Sequence, residues 1–463
     1  MFGFPKKSNK FRKVQSTGAT LSSWLHHPVL LSVLCHPERS ATESKDLGKE
    51  LIMELTKVKL SDVSHFVEDK ISSSDVRLED YITTDNLLQN KQGRVCASNL
   101  PPKPCSLIRF QKGDVLVANI RPYLKKIWQA TSSGGASNDV LVIRANDETL
   151  SEYIYSLLLQ DDFYTYVMKA PKGSKMPRGD HKHIMRYPIL DIPHKKEIGR
   201  LVAALDDKIA LNKKMNQKLE AIAKRLYDYW FVQYDFPDKN GHPYKTTGGP
   251  MTYSPTLKRE IPVGWEVKKV SDYADLITKG TTPSTLGFDF QDTGINFVKV
   301  ECIENGQILQ ENLMHISEEA NVAMKRSQLR SNDILVTIAG RLGSTAIVSD
   351  NILPANTNQA VALIRLKKEY GHLVNYIYRV ISSSSMQKRL QGSNAQSIQK
   401  NLTLPILGDI EFVQDSNCEI IKRFNEITKP IFLEQQENIQ EISHLTKLRD
   451  KLLPLLMNGQ VVI

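Results

Sequence analysis

The sequence predicts an α+β chain in which two duplicated strand-rich blocks alternate with two long helices. Three observations predict it. Across Lys195–Phe236, apolar residues recur at the alternating three- and four-residue spacing of a coiled-coil seam: Leu201, Leu205, Met215, Leu219, Ile222 and Leu226. Asn212 falls on this seam, Ile209 falls one place off it, and Pro237 closes the helix. A second run near the C-terminus repeats the pattern with Ile427, Ile431, Leu445, Leu448 and Leu452, and with Asn438 on the seam. At ~1.5 Å per residue the first helix spans roughly 50 Å, too long for one small domain to cover, so the two helices are expected to pair. The third observation is an internal repeat that contains both units.

The repeat is read from matched segments in the same order. Leu60–Val63 matches Val270–Tyr273, Gly113–Val117 matches Asn332–Val336, and Leu141–Arg144 matches Ala362–Arg365. Tyr153–Tyr155 matches Tyr376–Tyr378, Lys172–Arg178 matches Gln391–Ser397, and Pro188–Leu190 matches Pro405–Leu407. The offset drifts between 210 and 223 residues, as loop insertions would make it.

Composition narrows the class. With 463 residues there is room for two or three domains, and 41% hydrophobic with 24% charged residues is ordinary for a globular protein. The longest apolar run, Pro28–Cys35, is far too short to span a bilayer. Five cysteines without a CxxC pair argue against a disulfide framework or a zinc site and fit a cytoplasmic protein. The net charge of +10 suits a polyanionic partner, although residues 1–52 supply eight Lys/Arg against four acids and thus part of the excess.

In order, residues 1–52 have no periodicity and no counterpart in the second half, and are expected to be a spurious or disordered extension ahead of Met53. The first block covers 53–194. Within it FQKGDVLVANI and NDVLVIRA read as strands, SEYIYSLLLQDDFYTYVMK as a helix, and the segment from Lys169 to Pro193 as a basic loop returning to extended chain. The central helix covers 195–236. Residues 237–260, rich in Gly, Pro, Ser and Thr, read as a linker. The second block covers 261–416, and the distal helix with its tail covers 417–463.

Enzyme signatures are missing. There is no GxxxxGK[ST] loop, GxGxxG turn, HExxH or GxSxG elbow. Asn99-Leu100-Pro101-Pro102 reads as a loop, and the His181/His183 pair lacks a supporting carboxylate or cysteine, so no metal site is expected. What the blocks offer is basic or polar loops at matching places. Arg121, Lys125, Lys172, Lys175, Arg178 and Lys182 in the first block, with Arg341 and Ser344 in the second, are candidate DNA contacts, the cations suiting phosphates, whereas the polar loop with Gln391, Asn394 and Gln396 suits base edges better.

Four segments give the chain a resemblance to the DNA-specificity subunits of Type I restriction–modification systems. Leu201–Pro237 is similar to the central spacer helix of that family, and Ile261–Tyr273 with Lys279–Thr285 to the start of a target recognition domain. Lys447–Val461 is similar to the close of the distal spacer helix. The resemblance implies two target recognition domains, each reading half of a split double-stranded DNA site, separated by an antiparallel pair of coiled-coil spacer helices. It also implies a chain that is not itself an enzyme, docked by methyltransferase subunits, two per chain, and joined by restriction subunits. S-adenosylmethionine, ATP and Mg²⁺ would then belong to the partners and no cofactor to this chain. A Type IIB-like specificity subunit and a coiled-coil scaffold that never touches DNA are the alternatives.

Overall fold

A computed structural model of the chain describes residues 56–170, 176–392 and 402–461, so the expected N-terminal extension lies outside the described residues. It is a mixed helix-and-sheet structure that divides into two compact units. One comprises the chain up to Lys208 together with Thr446–Ile463, and the other comprises Ile209–Leu445.

In the first unit, the central strand Val115–Ala118 pairs antiparallel with Val140–Ala145 on one side and Ile127–Gln129 on the other. All four of its residues are buried, because both faces of the sheet are covered. Val115 and Val117 face a core with Tyr153, Phe163, Ile198 and Leu456, while Leu116 and Ala118 face a second core with Ile82, Phe110 and Ala136. At the head of that strand the buried Asp114 carboxylate takes two hydrogen bonds from Arg144, at 2.7 and 2.8 Å. Lys57–Lys59 pairs antiparallel with Pro188–Leu190, closing the block's beginning on its end.

The expected single helix from Ser151 breaks in two, Ser151–Leu158 and Asp161–Val167, with Leu159 and Gln160 between. Gly199 packs directly on the first of these. A Cβ there would lie 2.5 Å from the Tyr153 nitrogen, so a side chain at residue 199 would push the two backbones apart.

The second unit has the same order of pairings. Ile334–Thr337 lies between Val361–Leu366 and Thr345–Ile347, and Trp265–Lys269 pairs with Glu411–Asp415. Here too the central strand is buried on both faces, Ile334 and Val336 in one core and Leu335 in another. Asp333 takes two hydrogen bonds from Arg365, at 2.8 and 2.6 Å, the counterpart of Asp114 and Arg144. Burial pushes the Asp333 carboxyl up, against the pull of Arg365. Lys59 N and Lys269 N each donate 2.8 Å to an aspartate three residues on, Asp62 and Asp272.

One proposed match fails. Pro188–Leu190 is a strand, but Pro405–Leu407 lies in the short helix Leu404–Gly408, whose counterpart is His181–Met185. The strand that answers to Pro188–Leu190 is Glu411–Asp415. Leu60 N donates to Tyr187 O and Val270 N to Ile410 O, fixing the correspondence at those residues.

Among the described residues two helices exceed thirty residues, Lys195–Tyr227 and Glu419–Met457. The first ends nine residues before the expected Phe236, in a wide turn over Asp228–Val232. Aromatic side chains end it: Tyr227, Trp230, Phe231, Tyr234 and Phe236 turn into the second unit's core, where Phe231 lies 4.5 Å from Tyr376 and 5.2 Å from Phe424. The segment read as a linker is likewise folded. Asp235 accepts from Thr246 N and Oγ1 at 2.8 and 2.7 Å, Tyr244 stacks on Phe236, and Met251–Ser254 forms a hairpin with Arg259–Pro262.

The helix seam also needs correction. Leu201, Leu205, Leu445 and Leu452 are buried, as are Asn212 and Asn438, and Leu219, Leu226, Ile431 and Leu448 are half-buried. Met215, Ile222 and Ile427 are not on the seam, being 38%, 54% and 45% exposed. Ile209, Asn216, Ala223 and Thr428 occupy the inward positions instead. Within the second unit the helices run antiparallel through polar contacts. Asn212 Nδ2 donates to Glu441 at 2.7 Å, Asn216 Nδ2 to the Gln435 carbonyl at 3.1 Å, and Asn438 Nδ2 to Asn216 Oδ1 at 2.9 Å. Glu220 accepts from Arg379 Nη2 at 2.9 Å. In the first unit Arg449 reaches Asp206 at 2.6 Å.

Candidate nucleic-acid interface

In the first unit, loops at one edge of the sheet come together through the backbone. Arg121 N donates to Pro177 O at 2.8 Å, Gly179 N to Asn119 O at 3.2 Å, and Asn119 N to Asp139 O at 2.9 Å. Ile120 and Arg178 form a β-bridge. Arg121 adopts a left-handed backbone, φ 53°, at the turn that starts the loop. Asp180 caps the helix His181–Met185 by accepting from His183 N at 2.8 Å, which presents Lys182 on the exposed first turn.

Arg121, Arg178 and Lys182 are therefore brought to one edge, all exposed. Arg178 also contacts Asp139 at 3.1 Å. Lys125 is placed differently: its ammonium lies 2.9 Å from Asp161, which Lys91 also holds at 2.7 Å. Burial alone would raise the Asp161 carboxyl, but the hydrogen bonds and charges of the two lysines outweigh it and hold it below its ordinary value. Lys125 is thus a structural clamp more than a free phosphate ligand. Lys172 and Lys175 lie outside the described residues.

In the second unit the corresponding edge collects residues 279–286, 338–343 and 358–360. Gly280 N donates to Val361 O, Thr281 N to Thr357 O, Ile338 N to Ala360 O at 2.8 Å, and Leu402 N to Ile338 O at 2.9 Å. Gly280 is forced by this approach, since a Cβ would sit 1.9 Å from Thr357 O. Arg341 directs its guanidinium at the carbonyls of Ile303 (2.5 Å) and Val300 (3.3 Å), so it supports the loop. Ser344 is half-buried, its nitrogen donating to Thr337 Oγ1 at 2.9 Å. Gln391 is exposed at the end of the helix Ser384–Gly392, while Asn394 and Gln396 lie outside the described residues.

Two exposed lysines at these edges escape a reading based on basic loops, Lys70 and Lys279. Both stand in sheet strands; Lys279 opens the segment Lys279–Thr285 that resembles the start of a recognition domain, whereas Lys70 lies in no matched segment. His183 stacks on Tyr166 at 4.2 Å, and among the described residues no three metal-ligating side chains cluster. No helix among them is long and apolar enough to cross a membrane.

Residues 262–443 match the family model for the Type I restriction modification DNA specificity domain. The chain is 25% identical over 439 residues to the HindI specificity subunit of Haemophilus influenzae, covering 82% of this chain and 94% of that one. The chain is thus similar over most of its length to specificity subunits of Type I restriction enzymes. The MjaIX specificity subunit of Methanocaldococcus jannaschii is 26% identical over 371 residues, covering 78% of this chain and 80% of that one. The fold of the chain is similar to the crystal structure of an S subunit from M. genitalium, with a TM-score of 0.51 and 13% identity over 88% of this chain and 97% of that one.

Proposed function

We propose that this chain is a specificity subunit that reads a split double-stranded DNA site, one half per block, for a Type I restriction–modification complex. The observation that carries the reading is the recurrence in both units of one architecture with a loop-built polar edge, in a chain whose relatives are specificity subunits. In this reading the two blocks are duplicated target recognition domains and the paired helices are the spacer between half-sites. A rigid helix of roughly 50 Å is long enough for two readers about one duplex turn apart, ~34 Å. The chain supplies recognition and assembly and no catalysis of its own. Methyltransferase subunits, two per chain, dock on it, and restriction subunits join that core. S-adenosylmethionine, ATP and Mg²⁺ work in those partners.

The test is a base-resolution map of DNA methylation in cells expressing the full chain with its neighbouring methyltransferase gene. A two-part motif with a fixed gap, lost when the chain is omitted, is the expected result. Methylation that ignores the chain, or a motif without a gap, would overturn the reading.

A further inference from the structure

The two sheet edges share a detail that the basic residues do not. In each unit a four-residue turn leads into the strand that carries the half-buried arginine paired with the buried aspartate. In the first it is Ser137-Asn138-Asp139-Val140, closed by Val140 N donating to Ser137 O at 2.9 Å. The second has Asn358-Gln359-Ala360-Val361, closed by Val361 N donating to Asn358 O at 3.2 Å. Each turn is anchored by its third residue: Asp139 O accepts from Asn119 N at 2.9 Å, and Ala360 O from Ile338 N at 2.8 Å. The residue after the first of each turn is an exposed carboxamide, Asn138 or Gln359, and each stands six places before its arginine, Arg144 or Arg365.

Both carboxamides are also oriented. Lys70 Nζ donates to Asn138 Oδ1 at 3.4 Å, and Thr282 Oγ1 donates to Gln359 Oε1. Each amide oxygen keeps a lone pair and each amide nitrogen keeps both hydrogens. A side chain at a turn tip, held from one side and carrying an acceptor beside a donor, has the pattern that pairs with the N6 and N7 edge of adenine in the major groove. Around Asn138 the neighbours are cationic: Lys70, Arg178 at the adjacent Asp139, and Arg121 across the Asn119 contact. Those groups suit phosphates, and phosphate contacts of this kind set the register in which a neighbouring side chain meets a base edge.

We propose that Asn138 and Gln359 are equivalent base-reading residues, each specifying an adenine in its own half-site. The proposal rests on the DNA-reading function above. Solvated turn residues would not require the same chemistry at the same turn position in two units whose loops otherwise differ in sequence.

The experiment expresses the full chain, wild type or with Asn138→Ala, Gln359→Ala or both, with the methyltransferase subunit, and maps methylation at base resolution. Asn138→Ala relaxes one position in one half-site by about tenfold to a hundredfold, and Gln359→Ala does so in the other half. The isosteric Gln359→Glu exchanges the amide donor for an acceptor and shifts that position toward cytosine. Unchanged motifs in the variants, beside a wild type that yields a split motif, overturn the proposal and leave the general function standing. Uniform loss of methylation with a shallower salt dependence also overturns it, because that identifies phosphate anchors. If the wild type gives no split motif, the function reading itself fails.

Discussion

Replacing Ile209 and Ile222 by alanine, one at a time, tests the helix seam. The apolar spacing of the sequence puts Ile222 on the seam and Ile209 beside it, whereas the fold leaves Ile209 7% exposed and Ile222 54% exposed. Ile→Ala removes roughly three carbons, worth about 0.8 kcal/mol each when fully buried. At residue 209 that transfer loss is joined by a cavity between two packed helices, and alanine returns only about 0.4 kcal/mol through better helix propensity. The net expectation for Ile209→Ala is about 2–4 kcal/mol. For Ile222→Ala the transfer loss is roughly halved, no cavity forms, and propensity offsets part of the rest, giving about 0.5 kcal/mol or less. Guanidinium unfolding of the isolated chain, followed by the fluorescence of Trp230 and Trp265 in the second unit's core, reads both. Equal midpoint shifts, or a larger one for Ile222→Ala, would refute the buried register.

Four other outcomes follow from the same structure. Arg121→Ala should lower the slope of log K against log salt for duplex binding by about 0.9, while Lys125→Ala should leave it nearly unchanged because that charge faces Asp161. Asp161 has a folded pKa below its unfolded value, so its stabilisation is complete well above about pH 4 and is lost as pH falls through that value to the folded pKa; Asp161→Asn should flatten that acid-side slope in thermal melts between about pH 2 and 5. Asp333→Ala leaves Arg365 uncompensated and should cost about 3–5 kcal/mol in chemical unfolding, and Asp114→Ala a similar amount through Arg144. Asn216→Leu together with Asn438→Leu should raise the melting temperature while letting the methylation map show more than one gap.

The repeat was legible because its strongest markers are short patterns with a physical cause. A Gly-Asp or Asn-Asp turn precedes a buried strand, VLVA or ILVT, and an arginine is the fifth residue of a later apolar strand. These pairs, Asp114 with Arg144 and Asp333 with Arg365, are the bonded ones. Matching of Pro188–Leu190 with Pro405–Leu407 misled because identical apolar tripeptides suit a strand or a buried helix turn equally, and periodicity cannot decide over three residues. The seam slipped for a related reason. Met215, Ile222 and Tyr229 give a clean heptad on the outer face, while the inner face passes through Asn216 and Ala223, which carry little hydrophobic signal. Residues 237–260 looked like a linker by composition, but Phe236, Tyr244 and Asp235 hold that segment onto the second unit's core. The interface cations were visible as residue types. Whether each faces a carboxylate, a carbonyl or solvent depends on loops far apart in sequence, as Lys125 and Arg341 show.

If the helix pair is the spacer proposed above, the polar stretch of its seam fixes the distance between half-sites. A uniform leucine seam tolerates sliding by a heptad, since each knob finds an equivalent hole; the shift would be about 10.5 Å along the axis. On DNA that distance is about three base-pair steps at ~3.4 Å each, enough to misplace one half-site completely. The buried amides oppose the slide. Asn216 receives a hydrogen bond from Asn438 and exchanges backbone contacts with Gln435, and Asn212 reaches Glu441, so a heptad shift would leave these groups buried beside apolar carbons. Each buried polar group stranded in this way costs about 1–3 kcal/mol, which makes a single register far preferable. Leucine in their place would give a stronger helix pair with a less fixed register. The stability forgone at Asn212, Asn216 and Asn438 is therefore of the kind expected where a fixed distance matters more than maximal stability.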